Sequence, residues 1–349
     1  MEVNMKKTLI FLLILMPIIA LAKTPVTNKK VSKTVAVQLF TDRPAVKRFI
    51  DTMVTRYHCS RANVVKILNN AHYKNTVVEQ IKHPYESKAW YVYRNFLITP
   101  DRIQKGVNFY KKNADLFRYA QKHYHVPSSV ILGILGIETE YGENMGKYHV
   151  LDALTTLTFY YPPRTRFFQE QLAQFILYCK ENHINPNSVL GSYAGAIGQA
   201  QFMPSSIANY GVSHGADKTI NMIDQEGDII DSIANYMHKN GWREHEPIAV
   251  YGKVTNFHLL LNQLKKSKKS MTIRAWRKHG IKPFYNINPS LKAKVLVMKL
   301  KKGKEFWFVF HNFKMILTYN HSPNYALAVT ELGTQVMHAY LHPRKIARG

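Results

Sequence analysis

The sequence predicts an α+β fold that is mainly helical, and three observations carry that expectation. Apolar residues recur at spacings of three and four through six segments of the first two thirds of the chain. After Gly241-Trp242 the pattern changes to short β-branched and aromatic runs separated by Gly303 or lysine clusters. Helical spacing returns at Tyr325 to Met337. With 349 residues, 46% of them apolar, the chain can bury one large core or two modest ones. That excludes a disordered, collagen-like or disulfide-stapled protein.

Lys6 and Lys7 precede an apolar run from Leu9 to Ile19, closed by Ala20-Leu21-Ala22 before Lys23. This is the order of a secretory signal peptide over residues 1–22, with cleavage after Ala22. The run is shorter than the ~20 apolar residues of a spanning helix, and no Cys stands near the cleavage site to carry a lipid. The exported chain is therefore expected to be soluble, with no stable membrane anchor. Lys plus Arg number 48 against 22 Asp plus Glu, a net charge of +26, which points to a polyanionic partner. Nucleic acid, an anionic membrane surface and an acidic wall polymer all fit the charge. Export takes the chain away from nucleic acid and leaves wall polymer as the leading partner.

Residues 23–35 are polar and read as a lead-in. Helical periodicity follows at Val46, Phe49, Ile50, Met53, Val54 and Tyr57, with Pro44 upstream, then through Val64 to Leu68 and after Thr99-Pro100-Asp101. It continues through 128–140, 165–180 and 225–240. Cys179 extends the stripe of Phe168, Leu172, Phe175 and Ile176, so a buried free thiol is expected; the sequence does not say whether it pairs with Cys59. Residues 246–318 read as β-rich, on segments such as Ile248 to Tyr251, Val295 to Met298 and Phe306 to Phe310. The lysine runs Lys265 to Lys269 and Lys299 to Lys304 read as solvated loops, with steering of a polymer as the alternative.

Two segments carry chemistry. In 127–142, Ile131, Ile134, Leu135 and Glu138 fall at i, i+3, i+4 and i+7, in line with an apolar stripe, while Glu140 lies about 200° round toward solvent. Loss of hydration raises the pKa of such a carboxyl and suits it to donating a proton. Periodicity alone fits equally a structural glutamate that caps a neighbouring helix. The second segment runs from Ser192-Tyr193-Ala194-Gly195 to Met203-Pro204-Ser205-Ser206. Its small residues allow close backbone approach, and its Gln, Ser and aromatic residues suit sugar rings. A tight polar loop between helices is the other reading.

Together these segments resemble a known family. Gly-Ile-Glu-Thr-x-Tyr-Gly, Tyr-Pro-x-Arg, Ser-Tyr-Ala-Gly-Ala-Ile-Gly-x-x-Gln-Phe-Met-Pro-Ser-Ser, Ala-Asn-Tyr and Tyr-Asn-His-Ser follow in the order of the lytic murein transglycosylase B family. The resemblance extends from Trp90 to the helix after Tyr319-Asn320-His321-Ser322. It implies an N-terminal helical region at 23–125, a lysozyme-like helical core at 126–245, a small β-rich domain at 246–318 and a segment at 319–349 that returns to the helical body. It also implies non-hydrolytic cleavage of the β-1,4 bond between N-acetylmuramic acid and N-acetylglucosamine in periplasmic peptidoglycan, leaving 1,6-anhydromuramoyl ends. Glu138 takes the place of the single acid and base. Ser192 is expected to position the acetamido group or the developing charge. Gln201, Phe202, Tyr236, Tyr319, Asn320, Tyr93 and Arg164 match saccharide-binding positions. Peptidoglycan strands are the implied partner, with cell-wall synthesis proteins left open, and no cofactor is implied.

Two departures limit the transfer. Where some relatives carry a calcium loop, residues 213–224 offer only Asp217 and Asp224 as carboxylates, so no tight calcium site and no metal ligands are expected. Pro163 replaces one member of an arginine pair beside Arg164. A single acid agrees with the lack of a second carboxylate in an apolar setting, since Asp152, Glu140 and Glu143 stand at helix ends or polar positions. The competing readings are a hydrolytic muramidase and a peptidoglycan-binding scaffold in which Glu138 is structural.

Overall fold

In a computed structural model the chain is described at residues 40–82, 88–267 and 269–343. The signal-peptide reading of 1–22 and the lead-in at 23–35 lie outside the described residues. The N-terminal helices are α1 (Pro44–Thr55), α2 (Arg61–Asn69), α3 (Asn75–Lys82), α4 (Trp90–Leu97), α5 (Pro100–Lys112) and α6 (Ala114–Tyr124). The next part holds α7 (Ser128–Thr139), β1 (Tyr148–His149), α8 (Val150–Tyr160), α9 (Thr165–Glu181), β2 (Leu190–Gly191), α10 (Pro204–Tyr210) and α11 (Glu226–Lys239). Then come β3 (Ala249–Val254), α12 (Phe257–Lys266), β4 (Met271–Thr272), α13 (Ile273–Lys278), β5 (Ile281–Pro283), β6 (Lys292–Lys299) and β7 (Lys304–Val309). The described chain closes with α14 (His311–Tyr319) and α15 (Pro323–Leu341).

Local chemistry starts several of these helices. Thr99 caps α5 by accepting from the Arg102 N–H, with Pro100 in the first turn. Ser322 and Pro323 do the same for α15, the hydroxyl accepting from the Tyr325 N–H. Helix α7 is apolar on every side, and all its residues from Val130 to Thr139 are buried, so it forms the centre of the larger core. Helix α15 lies antiparallel against it, and glycines set the separation. A Cβ on Gly133 would fall 2.1 Å from the Val329 carbonyl oxygen, and one on Gly333 would fall 1.8 Å from that of Ser129. Only hydrogen side chains let the two backbones touch there.

The larger sheet has the order β4-β6-β7-β3-β5 and is antiparallel at every paired edge. One face packs on α12 and α13 through Leu260, Ile273, Trp276, Phe306 and Phe308, forming a second, smaller core. Met298 and Trp307, on the other face, join the larger core. At this junction Trp90 of α4 and Trp307 both donate their indole N–H to Glu305, while Arg94 forks onto Glu331 of α15. Residues 246–318 thus hold three helices besides strands, α12 and α13 among them. Their cues are local caps, Asn256 for α12 and Thr272 for α13, rather than long apolar stripes.

Candidate active site

Glu138 stands in the last turn of α7 and is only 2% exposed. The antiparallel register fixed by Gly133 and Gly333 brings the first turn of α15 beside it, and the Tyr325 hydroxyl donates to Glu138 Oε1 at 2.7 Å. Tyr325 stacks on Tyr319, with centroids 6.3 Å apart and ring planes 8° apart. Tyr319 in turn meets Tyr236 at 5.0 Å and Phe202 at 5.6 Å. Tyr93 of α4 is fully buried and within electrostatic reach of Tyr325. Four sequence-predicted residues, Phe202, Tyr236, Tyr319 and Tyr93, therefore gather around the Glu138–Tyr325 pair.

These phenols are held in their protonated form. Burial, reinforced by the nearby Glu138 carboxyl, lifts Tyr319 and Tyr325 well above the usual phenol range. Burial also lifts Tyr236, whose hydroxyl donates to the Thr318 carbonyl at 2.7 Å. Each hydroxyl is thereby a fixed donor: Tyr325 to the carboxyl, Tyr319 to the Ala200 carbonyl, Tyr236 to the end of α14.

The segment from Ser192 to Ser206 folds over the end of α7. Thr139, next to Glu138, donates to the Gln199 carbonyl at 2.8 Å and accepts from the Gly142 N–H at 3.0 Å, so one side chain ties helix end to loop. Ser192 is fully buried, and its oxygen accepts from the N–H groups of Ala194 at 3.2 Å and Ala196 at 2.9 Å. Gly198 has φ +68° where a Cβ would strike the Met222 carbonyl at 1.8 Å, so glycine is required. Gln201 takes φ +48° and donates to the carbonyls of Met145 at 3.0 Å and Gly198 at 2.9 Å. Its Oε1 is buried and faces no donor among the described residues. Asn320 follows α14, 1% exposed, its Oδ1 accepting from the Ser322 N–H at 3.0 Å. Arg164 lies outside the tyrosine cluster, at the start of α9, its guanidinium 4.2 Å from the Phe167 centroid.

Glu140 departs from the expectation of a solvent-facing residue. It lies past the end of α7 at φ +55°, so helical projection does not apply, and it is clamped by Arg102 at 3.2 Å and Lys105 at 3.0 Å. Burial works to raise its carboxyl, but those two cations outweigh it and hold the carboxyl below the usual range. Asp152, in the first turn of α8, accepts from the His72 N–H at 2.7 Å and pairs with Lys74 at 3.3 Å. Tyr325 and Thr139 were not among the residues singled out by sequence. Tyr325 had one signal, a phenol inside an otherwise apolar helical stretch, since a buried hydroxyl needs a partner.

A model of the transglycosylase SLT domain matches residues 41–334. The chain belongs to this family. It is 35% identical over 309 residues to the membrane-bound lytic murein transglycosylase B of Escherichia coli, covering 85% of this chain and 84% of that one. Among solved structures it resembles the soluble lytic transglycosylase SltB1 of Pseudomonas aeruginosa, at 34% identity and a TM-score of 0.78 over 85% of this chain and 99% of that one. It equally resembles the Escherichia coli lytic transglycosylase SLT35, at 35% identity over 86% of this chain and 95% of that one. SLT35 has been solved with bulgecin A (TM-score 0.78) and with calcium (0.79). The mainly helical fold with its attached sheet is that of these SLT transglycosylases.

The calcium complex of that relative raises the question whether loop 213–224 of this SLT transglycosylase suits the ion. Asp217 already accepts from the Thr219 hydroxyl at 2.8 Å and the Ser213 hydroxyl at 3.4 Å, and Asp224 accepts from the Asn221 amide. Asp228 of α11 accepts from the N–H groups of His214 and Asn221, both at 2.8 Å, and Asp231 pairs with the His214 ring at 2.8 Å. Protein donors thus take the carboxylates that a cation would need, and the set does not fit calcium. Both cysteines are buried and free, and burial pushes the Cys179 thiol up to about 12.

Proposed function

We propose that this SLT transglycosylase is an exported, periplasmic enzyme that cleaves the MurNAc-GlcNAc β-1,4 bond of peptidoglycan without water. The observation that carries the reading is the buried Glu138 carboxyl oriented by the Tyr325 hydroxyl at 2.7 Å, at the end of an apolar helix. Glu138 gives its proton to the glycosidic oxygen, the C1–O4 bond breaks and N-acetylglucosamine leaves with a free 4-hydroxyl. The resulting carboxylate takes the proton of the muramyl C6 hydroxyl as O6 bonds to C1. The carboxyl ends protonated again, and the product carries a 1,6-anhydro ring. The substrate's acetamido group stands in for a second enzyme carboxylate in the first step, with Ser192 steadying it. Because the Ser192 oxygen is filled by two backbone N–H groups, its own proton remains to be donated.

In this reading Tyr93, Phe202, Tyr236 and Tyr319 form the packed wall behind the acid. Gln201, with its buried Oε1, and Asn320 contact saccharide; Arg164 reaches toward the peptide-bearing muramyl residue. Glycan strands are the partner, and no cofactor takes part.

Mass spectrometry of the soluble products from purified sacculi, with residues 23–349 and a Glu138→Gln control, tests the proposal. Products one water lighter than hydrolytic ones, absent with the control, are expected. Full hydrolytic masses would instead identify a muramidase, and no products at all would identify a binding scaffold.

A further inference from the structure

The net charge of +26 is not spread evenly. Residues 246–318 hold sixteen Lys or Arg against two Glu, a net +14 in about a fifth of the chain. The hairpin joining β6 to β7 gathers four of these cations, Lys299, Lys301, Lys302 and Lys304, with Lys299 and Lys304 directly paired across it. Gly303 at its tip has φ +82°, and a Cβ there would meet nothing within 4 Å, so the tip projects freely.

Beneath the tip lies an open groove of about 590 Å³ lined by Phe257, Val297, Lys299, Gly303, Lys304 and Phe306. Two of its apolar residues are accessible, Phe257 at 48% and Val297 at 38% exposed, above a floor of buried Phe306. The one acid of the hairpin strands, Glu305, has its carboxylate bonded to the indoles of Trp90 and Trp307 on the sheet's other face. Among the described residues no carboxylate is paired with these four lysines.

We propose that this lysine-crowned groove docks reversibly on an anionic phospholipid surface. The lining chemistry distinguishes this occupant from a glycan strand. Sugars require paired donors and acceptors, such as amides and carboxylates, whereas the only polar side chains lining this groove are lysines, which can only donate. An ionised phosphodiester accepts without donating, and an acyl boundary takes apolar side chains, so lysine beside exposed Phe257 and Val297 matches a lipid interface. No helix among the described residues is long and apolar enough to cross a membrane, so the attachment would be peripheral. The proposal does not rest on the catalytic reading of Glu138, since none of its residues belongs to that cluster.

The test is co-sedimentation of residues 23–349 with vesicles, the apolar run Leu9 to Ile19 being left off because it would itself seek lipid. Phosphatidylglycerol-containing vesicles are expected to bind the chain, phosphatidylcholine vesicles to bind it far less, and added salt to weaken binding. Replacing Lys299, Lys301, Lys302 and Lys304 together by Gln should lower partitioning by about fivefold per lysine, while digestion of sacculi by the variant is unchanged. Phe257→Ser should weaken vesicle binding at constant charge. Equal binding to neutral and anionic vesicles, or no binding to either, would overturn the proposal. So would a quadruple variant that keeps vesicle binding but loses binding to sacculi, which would assign the groove to the wall polymer.

Discussion

Removing one oxygen tests the heart of the active-site reading. Tyr325→Phe keeps a ring that is fully buried and stacked on Tyr319, and deletes only the hydroxyl that donates to Glu138 Oε1. In the proposed reaction that hydrogen bond first meets a carboxyl that holds the proton to be transferred. Once the proton has passed to the leaving oxygen it meets a carboxylate, and the bond strengthens. A hydrogen bond to a charged group contributes about 1.5–3 kcal/mol, so turnover should fall by roughly 10- to 150-fold. Because Tyr325 stabilises the charged form, its loss should also move the basic limb of the pH–rate profile to higher pH. The assay is release of soluble muropeptides from sacculi across pH, with the thermal midpoint measured alongside to confirm a folded protein. A folded variant with wild-type turnover and an unmoved pH profile would refute the assignment of Tyr325 as the group that positions the acid.

Three further outcomes follow from the same geometry. Gly133→Ala and Gly333→Ala each place a methyl within 2.1 Å of a backbone oxygen on the facing helix, so each should lower stability by about 1–3 kcal/mol, read by denaturant unfolding; unchanged midpoints would contradict the close approach. Glu140→Gln should destabilise the protein at neutral pH, by about 1 kcal/mol for a half-buried pair. The folded-state pKa of Glu140 is depressed by Lys105 and Arg102 despite its burial, so its contribution is present above the unfolded pKa and lost as pH falls through the folded one. The difference between variant and wild type should therefore shrink in acid, and a difference independent of pH would count against the clamp. Finally, the thiol of Cys179, buried and pushed up to about 12, should resist a disulfide reagent in the native state and react once the protein is unfolded; rapid native labelling of Cys179 would contradict its burial.

The mainly helical character of the chain was legible because it is written in local periodicity. Val46, Phe49, Ile50 and Met53, which recur at three and four, are the buried residues of α1. The burial of Glu138 was legible because it continues such a stripe. Projection from the helix failed two residues later, at Glu140, because the backbone had already turned left-handed. Other features depend on distance in sequence. Nothing local says that Gly133 will face Val329 or that Gly333 will face Ser129, and without that register Tyr325 has no reason to be paired with a carboxyl 187 positions away. The sheet order β4-β6-β7-β3-β5 was hidden for a related reason, since β4 is only two residues long and gains its identity from pairing with Ala293 and Lys292.

The ionisable groups around Glu138 also bear on how many acids the chemistry uses. Tyr319 and Tyr325 are lifted well above the phenol range, and Tyr236 is lifted by burial, so none of the three exchanges a proton near neutrality. The carboxylates that the sequence reading set aside as second acids are occupied elsewhere: Asp152 by Lys74 and the His72 N–H, Glu140 by Arg102 and Lys105, and Glu143 by Lys105 at 2.8 Å. Glu331, on the same helix as Tyr325, is forked by Arg94. A carboxylate held by a cation is stabilised in its charged form and is a poor acid. It is also a poor nucleophile while the pair lasts. In the proposed reaction the Glu138 carboxyl is the group that gives up a proton and takes one back. A mechanism in which the substrate supplies both the neighbouring acetamido group and the attacking C6 hydroxyl asks no more of the protein than that.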